Sequence, residues 1–407
     1  MVYCIIMAGG SGSRFWPKSR KNIPKQCLSI FTEKSIFEET IELYSNLVDR
    51  KEFYIATGNH LYNHLKKIVP DVNYVLEPMA KNTAACIGLA AVSILKKSRP
   101  DDIIIIDTSD HIYRDPENYF KHVEVGIKAA EQGNIVQFGI KPTRIEIGFG
   151  YIEIGEEVIV EDEVHVHNVV SFKEKPNFKV AKEYVNSGRF LWNSGIFISR
   201  IDVLLDEFKI FMPELYDGLM KIKESGFDKK IITEVFESLE SVPIDVGVIE
   251  KTSKNLVIIG EFPWDDIGDW SAIDRAMPRD INKNVIKSAS GFEGVAKNCI
   301  IFSDIRKVIC EFVEELIIVD TEDATLICDK SRAQDVKKVV DLLMNADLAE
   351  YTIDFVKDHT SNNIVIDSDN CEVKSDGLTA LIGVNNLDIK RNKKELIIKG
   401  QVEFNDS

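Results

Sequence analysis

Val2-Tyr3-Cys4-Ile5-Ile6-Met7-Ala8-Gly9-Gly10-Ser11-Gly12-Ser13-Arg14 opens the chain, and its two halves differ in character. The first half, up to Met7, is an unbroken apolar run, the pattern of a parallel strand buried on both faces. The second half is rich in glycine, whose missing side chain lets backbone N–H groups come close to an anion. A strand that runs into such a loop predicts an α/β sheet with the loop at its carboxyl edge, where these sheets bind ligands. Arg14 offers a planar fork to phosphate, and Pro24-Lys25 brings a point charge. No Gly-Lys-Ser/Thr follows at P-loop spacing, and the glycines lack the dinucleotide-binding spacing. A glycine loop alone is more often a plain turn; the added Arg and Pro-Lys favour a phosphate cradle.

Working outward, residues 35–47 carry Ile36, Phe37, Thr40, Ile41 and Tyr44 at helical spacing. Residues 53–56 read as a second strand, 60–69 as a helix, 73–76 as a third strand and 83–96 as an apolar helix. Residues 103–106 form a fourth strand that ends in Asp107-Thr108-Ser109-Asp110-His111. Strands alternating with helices predict a mostly parallel sheet covered on both faces. The glycine loop and Ser109-Asp110 then share one rim. From about residue 282 the strands shorten and helices become sparse, which predicts a β-rich part, closed by an amphipathic helix over 329–344. We place domains at 1–280, 281–349 and 350–407. A weak repeat pairs Asn298-Cys299 and Ser303-Asp304 with Asn370-Cys371 and Ser375-Asp376, which suggests coils of a β-solenoid or a small sheet, with chance similarity an equal alternative.

The 407 residues suffice for one large domain and one or two small ones. A net charge of −16 argues against a general nucleic-acid binder, because a phosphate backbone attracts basic surfaces. No apolar run approaches the ~20 residues that cross a bilayer, and no signal peptide is read, so no membrane partner is expected. Seven scattered cysteines, with no pair at zinc-like spacing, fit reduced thiols in the cytoplasm. His60 and His64 stand four apart with no third ligand, and His165 and His167 alternate along a strand; both pairs read as surface residues.

The stretch from Met7 to Gln26 resembles the signature loop of the sugar-nucleotide pyrophosphorylases, in particular the mannose-1-phosphate guanylyltransferases, which read AGGxGTRLWPxSRxxxPKQ. Ser13 stands where the family has Thr. Glu77-Pro78-Met79-Ala80-Lys81-Asn82-Thr83-Ala84 resembles EPxxRNTAPA, with Lys81 in place of Arg. Ser109-Asp110-His111 resembles PSDH without its proline, and Trp264-Asp265-Asp266-Ile267-Gly268-Asp269-Trp270 resembles WxDVGSW, with Asp269 in place of Ser. Glu174-Lys175-Pro176 and Trp192-Asn193-Ser194-Gly195 match EKP and WNSG. The segment from Gly139 to Ile152 resembles GIxPTxPETGYGYI, but Ile145 and Ile147 replace its Pro and Thr, and after Ile244-Asp245 Val246 replaces a Tyr. The resemblance covers about residues 1–345.

The resemblance implies a Rossmann-like nucleotidyltransferase domain followed by a small β-solenoid-like part. It implies transfer of GMP from GTP to mannose 1-phosphate, by magnesium-assisted in-line attack at the α-phosphate. Arg14, Lys25, Asp110 and Asp266 would be catalytic, with Asp110 and Asp266 holding Mg²⁺. Ala8, Gly9, Gly10, Gly12, Ser13, Glu77, Pro78, Asn82 and Thr83 would bind the nucleotide. Glu77 can accept from a base N–H, and Asn82 and Thr83 can cap the next helix. Gly150, Tyr151, Glu174, Lys175, Asn193 and Asp245 would bind the sugar phosphate. Asp269 would add negative charge nearby. Another sugar 1-phosphate or nucleotide, or a catalytically silent regulatory subunit, are the alternatives. The oligomeric state stays open, a homodimer among the options, and residues 350–407 have no assigned role.

Overall fold

Strand β1 (Val2–Met7) is the apolar run that opens the chain, and Cys4, Ile5 and Ile6 in it are fully buried. It is followed by β2 (Phe53–Gly58), β3 (Asn73–Glu77), β4 (Ile103–Thr108), the short β5 (His111–Tyr113), β6 (Ile135–Ile140), β7 (Tyr151–Glu161), β8 (Val164–Lys173), β9 (Phe190–Arg200), β10 (Asn255–Gly260) and the short β11 (Trp264–Asp266). This computed structural model describes residues 1–10, 12–345, 371–374, 379–384, 387–391 and 394–400. Nine of the strands form one sheet in the order β3-β2-β1-β4-β9-β6-β10-β8-β7. The sheet is mixed. β1 pairs in parallel with β2 and β4, and β6 with β10. β9 runs antiparallel between β4 and β6, and β8 runs antiparallel to β10 and β7.

The helices of this part are α1 (Ile36–Tyr44), α2 (Asn59–Ile68), α3 (Asn82–Ile94), α4 (Pro116–Glu131), α5 (Phe178–Ser187), α6 (Ile201–Phe211), α7 (Pro213–Glu224) and α8 (Lys229–Ser238). α3 is apolar nearly all round because it is covered on both sides, by the sheet and by α7. A Cβ on its Gly88 would come within 2.6 Å of Leu219 Cδ1, so the two helices approach closely there. α4 starts on Asp115, which accepts from Asn118 N at 3.1 Å, with Pro116 at the first helical position. Such a cap contributes about 1 kcal/mol.

The chain divides into two compact units that do not follow its order. One comprises Met1–Gly9 and Phe37–Trp264; the other comprises Gly10–Ile36 and the described residues from Asp265 on. The glycine loop after Gly9 therefore belongs to the second unit. That unit holds α9 (Trp270–Ala276) and strands β12 (Val285–Ser288), β13 (Phe292–Lys297), β14 (Ile300–Ser303), β15 (Lys307–Glu314), β16 (Leu316–Asp320), β17 (Thr325–Asp329), β18 (Cys371–Lys374), β19 (Thr379–Ile382), β20 (Leu387–Arg391) and β21 (Glu395–Gly400). β12, β14 and β16 stack in parallel, as do β13, β15 and β21. Strands β12 to β16 alternate between the two sheets, so the chain coils as a β-helix does. Cys299, Ile301, Val308, Cys310, Ile318, Leu396 and Ile398 fill the space between the sheets.

The second copy of the suspected repeat falls partly on Asn370, Ser375 and Asp376, which lie outside the described residues. The helix expected over 329–344 is two pieces. Asp329 caps a 3-10 turn (Lys330–Asp335) through Ser331 N at 2.8 Å, the non-helical Arg332 kinks that turn, and α10 (Val336–Asn345) follows it.

Candidate active site

The residues singled out in the sequence are divided between the two units. Ala8, Gly9, Glu77, Pro78, Asn82, Thr83, Asp110, Gly150, Tyr151, Glu174, Lys175, Asn193 and Asp245 belong to the first. Gly10, Gly12, Ser13, Arg14, Lys25 and Asp266 belong to the second.

In the first unit, Ala8 continues β1: its N–H reaches Ala56 O at 2.9 Å and its carbonyl accepts from Thr57 Oγ1 at 2.6 Å. Gly9 is exposed, and a Cβ there would meet nothing within 4 Å. Glu77 and Pro78, both half-buried, end the edge strand β3. Burial pushes the Glu77 carboxyl up to about 7, and the Cys86 thiol beside it limits that rise. Glu77 Oε1 is shielded from solvent and has no hydrogen-bond partner among the described residues. A buried acceptor left unmade is costly, so it marks a place that an N–H donor would satisfy.

Asn82 and Thr83 do not cap α3 as expected. Asn82 takes a left-handed conformation (φ 68°), its Oδ1 accepting from Thr83 N at 2.9 Å. Thr83 Oγ1 turns away from the helix and accepts from Ile244 N at 2.8 Å. Lys81 donates to Leu239 O at 2.6 Å. The start of α3 is thus tied to the segment that carries Asp245.

Asp110 is half-buried in the turn between β4 and β5. That turn is braced by Asp107, which is fully buried and which the sequence did not single out as a site residue. Asp107 accepts from Thr108 N at 2.7 Å, Tyr44 Oη at 2.7 Å and Tyr113 Oη at 2.6 Å, and lies 2.6 Å from His111 Nδ1. Trp264 stacks edge-on against His111, with ring centres 5.1 Å apart, and Phe149 lies against both Trp264 and Trp192. The indole N–H groups of Trp192 and Trp264 are buried without partners among the described residues. Both tryptophans stand inside recognisable motifs, but their own spacing gives no sign that they share one aromatic wall.

Gly150, Glu174, Asn193 and Asp245 are brought together. Asn193 Nδ2 donates to Asp245 Oδ1 at 2.8 Å, and Asn193 N to Gly150 O at 2.8 Å. A Cβ on Gly150 would lie 2.7 Å from Glu174 Oε2, so glycine is what lets this carboxylate in. Glu174 pairs with the exposed Lys175 at 2.7 Å. Burial, reinforced by the Glu174 charge, pushes the Asp245 carboxyl up to about 6. Tyr151 is fully buried, and its hydroxyl donates to Glu146 O at 2.8 Å. Of the discounted histidines, His165 Nδ1 lies 2.7 Å from Glu157 Oε2, and His167 is half-buried with Nδ1 3.1 Å from Gly155 O.

In the second unit, Gly10 (φ 88°) and Gly12 (φ 61°) both need the left-handed conformation that glycine adopts without strain. Gly12 is doubly constrained, since a Cβ there would come within 2.3 Å of Lys25 Cβ. Ser13 begins a 3-10 turn that buries Phe15 and leaves Arg14 exposed. Lys25 is buried, and its Nζ donates to Ile267 O at 2.8 Å, next to the half-buried Asp266. Asp269, expected to add charge near the site, is a buried helix cap. Its Oδ1 accepts from Ser271 N at 2.7 Å and its Oδ2 from Gln334 Nε2.

The nucleotidyl transferase family model matches residues 3–283, and the model for the MannoseP isomerase/GMP-like beta-helix domain matches residues 295–343. The mannose-1-phosphate guanylyltransferase of Klebsiella pneumoniae is 34% identical over 362 residues, which is 86% of this chain and 76% of that protein. The enzyme of the same description from Escherichia coli is 35% identical over 362 residues, with the same coverage. Among solved structures, mannose-1-phosphate geranyltransferase from Thermus thermophilus superposes with a TM-score of 0.76 and 29% identity, over 84% of this chain and 99% of that one.

Proposed function

The chain belongs to the nucleotidyl transferase family, and from that premise we propose that it transfers GMP from GTP to mannose 1-phosphate, giving GDP-mannose and pyrophosphate. The observation that carries the choice of base is Glu77 Oε1, a buried acceptor atom without a partner among the described residues at the end of β3. Guanine offers an adjacent N1–H and N2–H, and a carboxylate accepts both at once. The similarity to mannose-1-phosphate guanylyltransferases supports the same pair of substrates.

Attack by the sugar phosphate on the α-phosphate brings two anions together. The nucleophile is already ionised near neutral pH, so positioning and charge neutralisation matter more than a strong base. Backbone N–H groups of Gly9, Gly10, Gly12 and Ser13 cradle the phosphates, and Arg14 and Lys25 offset the charge. Asn193, Asp245 and Glu174 orient the sugar hydroxyls, while Lys175 meets its phosphate. Asp110 and Asp266 are half-buried carboxylates, hard oxygen donors of the kind that Mg²⁺ takes. Bound there, Mg²⁺ would neutralise charge on the triphosphate. We place the reaction in the cytoplasm. Scattered cysteines without zinc-like spacing suit that compartment.

One observation favours a second reading, in which the chemistry stays and the sugar changes. Ile147 and Val246, which depart from the family pattern, are 54% and 37% exposed, so they are available to a ligand rather than locked in the core. The test is pyrophosphate release from purified protein with Mg²⁺, over a grid of nucleoside triphosphates and sugar 1-phosphates. A signal confined to GTP with mannose 1-phosphate supports the proposal. Turnover with another pair moves the substrate, and silence from folded protein rejects the reading.

A further inference from the structure

The loop that carries Arg14 and Lys25 is anchored inside the second unit by a buried ion pair. Arg20 Nη2 lies 2.8 Å from Asp323 Oδ1, and both side chains are fully buried. Asp323 sits in the turn between β16 and β17. Hairpin turns normally face water, because their backbone groups need partners. This one does so only at Glu322: Asp320, Thr321, Asp323 and Thr325 are all 0% exposed. They satisfy one another, Thr321 Oγ1 donating to Asp323 Oδ1 at 3.0 Å and Thr325 Oγ1 to Asp320 Oδ1 at 2.7 Å. Arg306, itself buried, bonds to Asp320 Oδ2 at 3.0 Å and to Thr321 O at 2.6 Å. The turn is therefore a largely desolvated platform, and Arg20 is a loop side chain paired to it.

The rest of the loop follows from that attachment. Arg20 packs over the Trp16 ring, and Trp16 O accepts from Trp270 Nε1 at 3.1 Å. Phe15, adjacent to Arg14, meets the Trp270 ring at 5.3 Å, and Trp270 meets Phe302 of β14 at 5.3 Å. Ser19 Oγ ties back to Gly12 O at 2.7 Å, and Gly12 abuts Lys25. Displacing Arg20 would thus shift the backbone on either side of both Arg14 and Lys25.

We infer that Arg20 and Asp323 are positioning residues: the β-rich unit sets the register of the phosphate loop through this pair. The inference rests on the proposed roles of Arg14 and Lys25. Arg20→Met combined with Asp323→Leu removes both charges together, so neither is left buried and unpaired, and such replacements are commonly tolerated. The double variant should melt close to the parent protein, yet lose about 10- to 100-fold in kcat, since small misplacements of catalytic groups cost that much. KM for both substrates should move by less than about threefold, because uniform binding is largely kept. Hydrogen exchange of amides 12–27 should quicken about tenfold or more, with β1–β4 unchanged. A double variant with parental kcat and parental loop exchange overturns the inference. If the double variant does not fold, Asp323→Asn keeps the side-chain shape and removes the charge that holds Arg20; unchanged kcat and loop exchange in that variant overturn the inference equally. Should the parent protein itself lack transferase activity, the functional reading falls, and loop exchange alone decides this one: quickened exchange upholds the anchor and unchanged exchange refutes it.

Discussion

Glu77→Gln tests the base-recognition reading most sharply, because the environment of Glu77 makes a prediction about pH. Burial raises its carboxyl from 4.5 to about 7. Between those values the folded protein keeps a proton that the unfolded chain has released. Stability from this group is therefore greatest below pH 4.5, falls as pH rises through the window, and stays lower above pH 7. The full shift corresponds to about 3 kcal/mol, and partial solvent screening reduces it to about 1–3 kcal/mol. Glu77→Gln should remove that loss and raise the melting temperature at pH 8 by several degrees, with little change at pH 5. Binding runs the other way. Only the ionised carboxylate accepts from both guanine N–H groups, and its population rises about tenfold from pH 6 to pH 8 for a group that titrates near 7. The parent protein should show KM for GTP falling about tenfold over that range. In Glu77→Gln, KM for GTP should be raised about tenfold or more, through the loss of a charge-assisted pair, and should no longer vary with pH. The assay is initial-rate pyrophosphate release at saturating sugar phosphate and Mg²⁺. A parental KM for GTP that is the same at pH 6 and pH 8, or a variant that keeps the parental slope, would refute the reasoning.

Asp110→Asn and Asp266→Asn should each lower kcat by about 100-fold or more, with melting temperatures near the parental value, because a charge-neutralising ligand is lost from half-buried positions. Normal turnover in either well-folded variant rejects the metal assignment. EDTA should abolish pyrophosphate release and Mg²⁺ should restore it; activity that persists in EDTA counts against the metal. Gly12→Ala puts a methyl group 2.3 Å from Lys25 Cβ at a φ of 61°, so it should cost about 1–3 kcal/mol and depress kcat together with stability, read by thermal melts beside kinetics. Asn193→Ala should raise KM for the sugar phosphate and leave KM for GTP unchanged; equal rises in both would place Asn193 outside sugar recognition.

The parallel half of the sheet was legible because both of its faces are covered. Residues 2–7, 53–56 and 103–106 are continuous apolar runs bounded by turn residues, and they leave few other options. The antiparallel half, β7 to β9, was read as motifs, with a strand recognised only around His165 and His167. Its strands mix buried and exposed positions, as along Val164–Lys173, and bulges interrupt the register between β7 and β8. The cap of α3 was misjudged for a similar reason. Thr83 before an apolar helix is an ordinary capping signal, yet its hydroxyl serves Ile244 N, a partner 161 positions away. Asp269 shows the reverse: noted in the sequence only for the charge it adds, it is a local helix cap.

What stays hidden in the sequence is long-range polar pairing, and the phosphate loop shows why. Residues 10–36 follow β1 directly, so local pattern assigns them to the sheet that β1 starts. Their packing is decided instead by Phe15, Trp16 and Arg20, whose partners Trp270 and Asp323 lie more than 250 positions further on. An apolar run announces burial by its composition alone, whereas an arginine reads as surface unless its carboxylate partner is known. Asp323 is equally misleading in isolation, since Thr321-Glu322-Asp323-Ala324 reads as an exposed turn. Each residue becomes interpretable only once the other is placed. A β-rich extension that looked separable in the sequence therefore includes, as part of its own core, the loop on which the proposed chemistry depends.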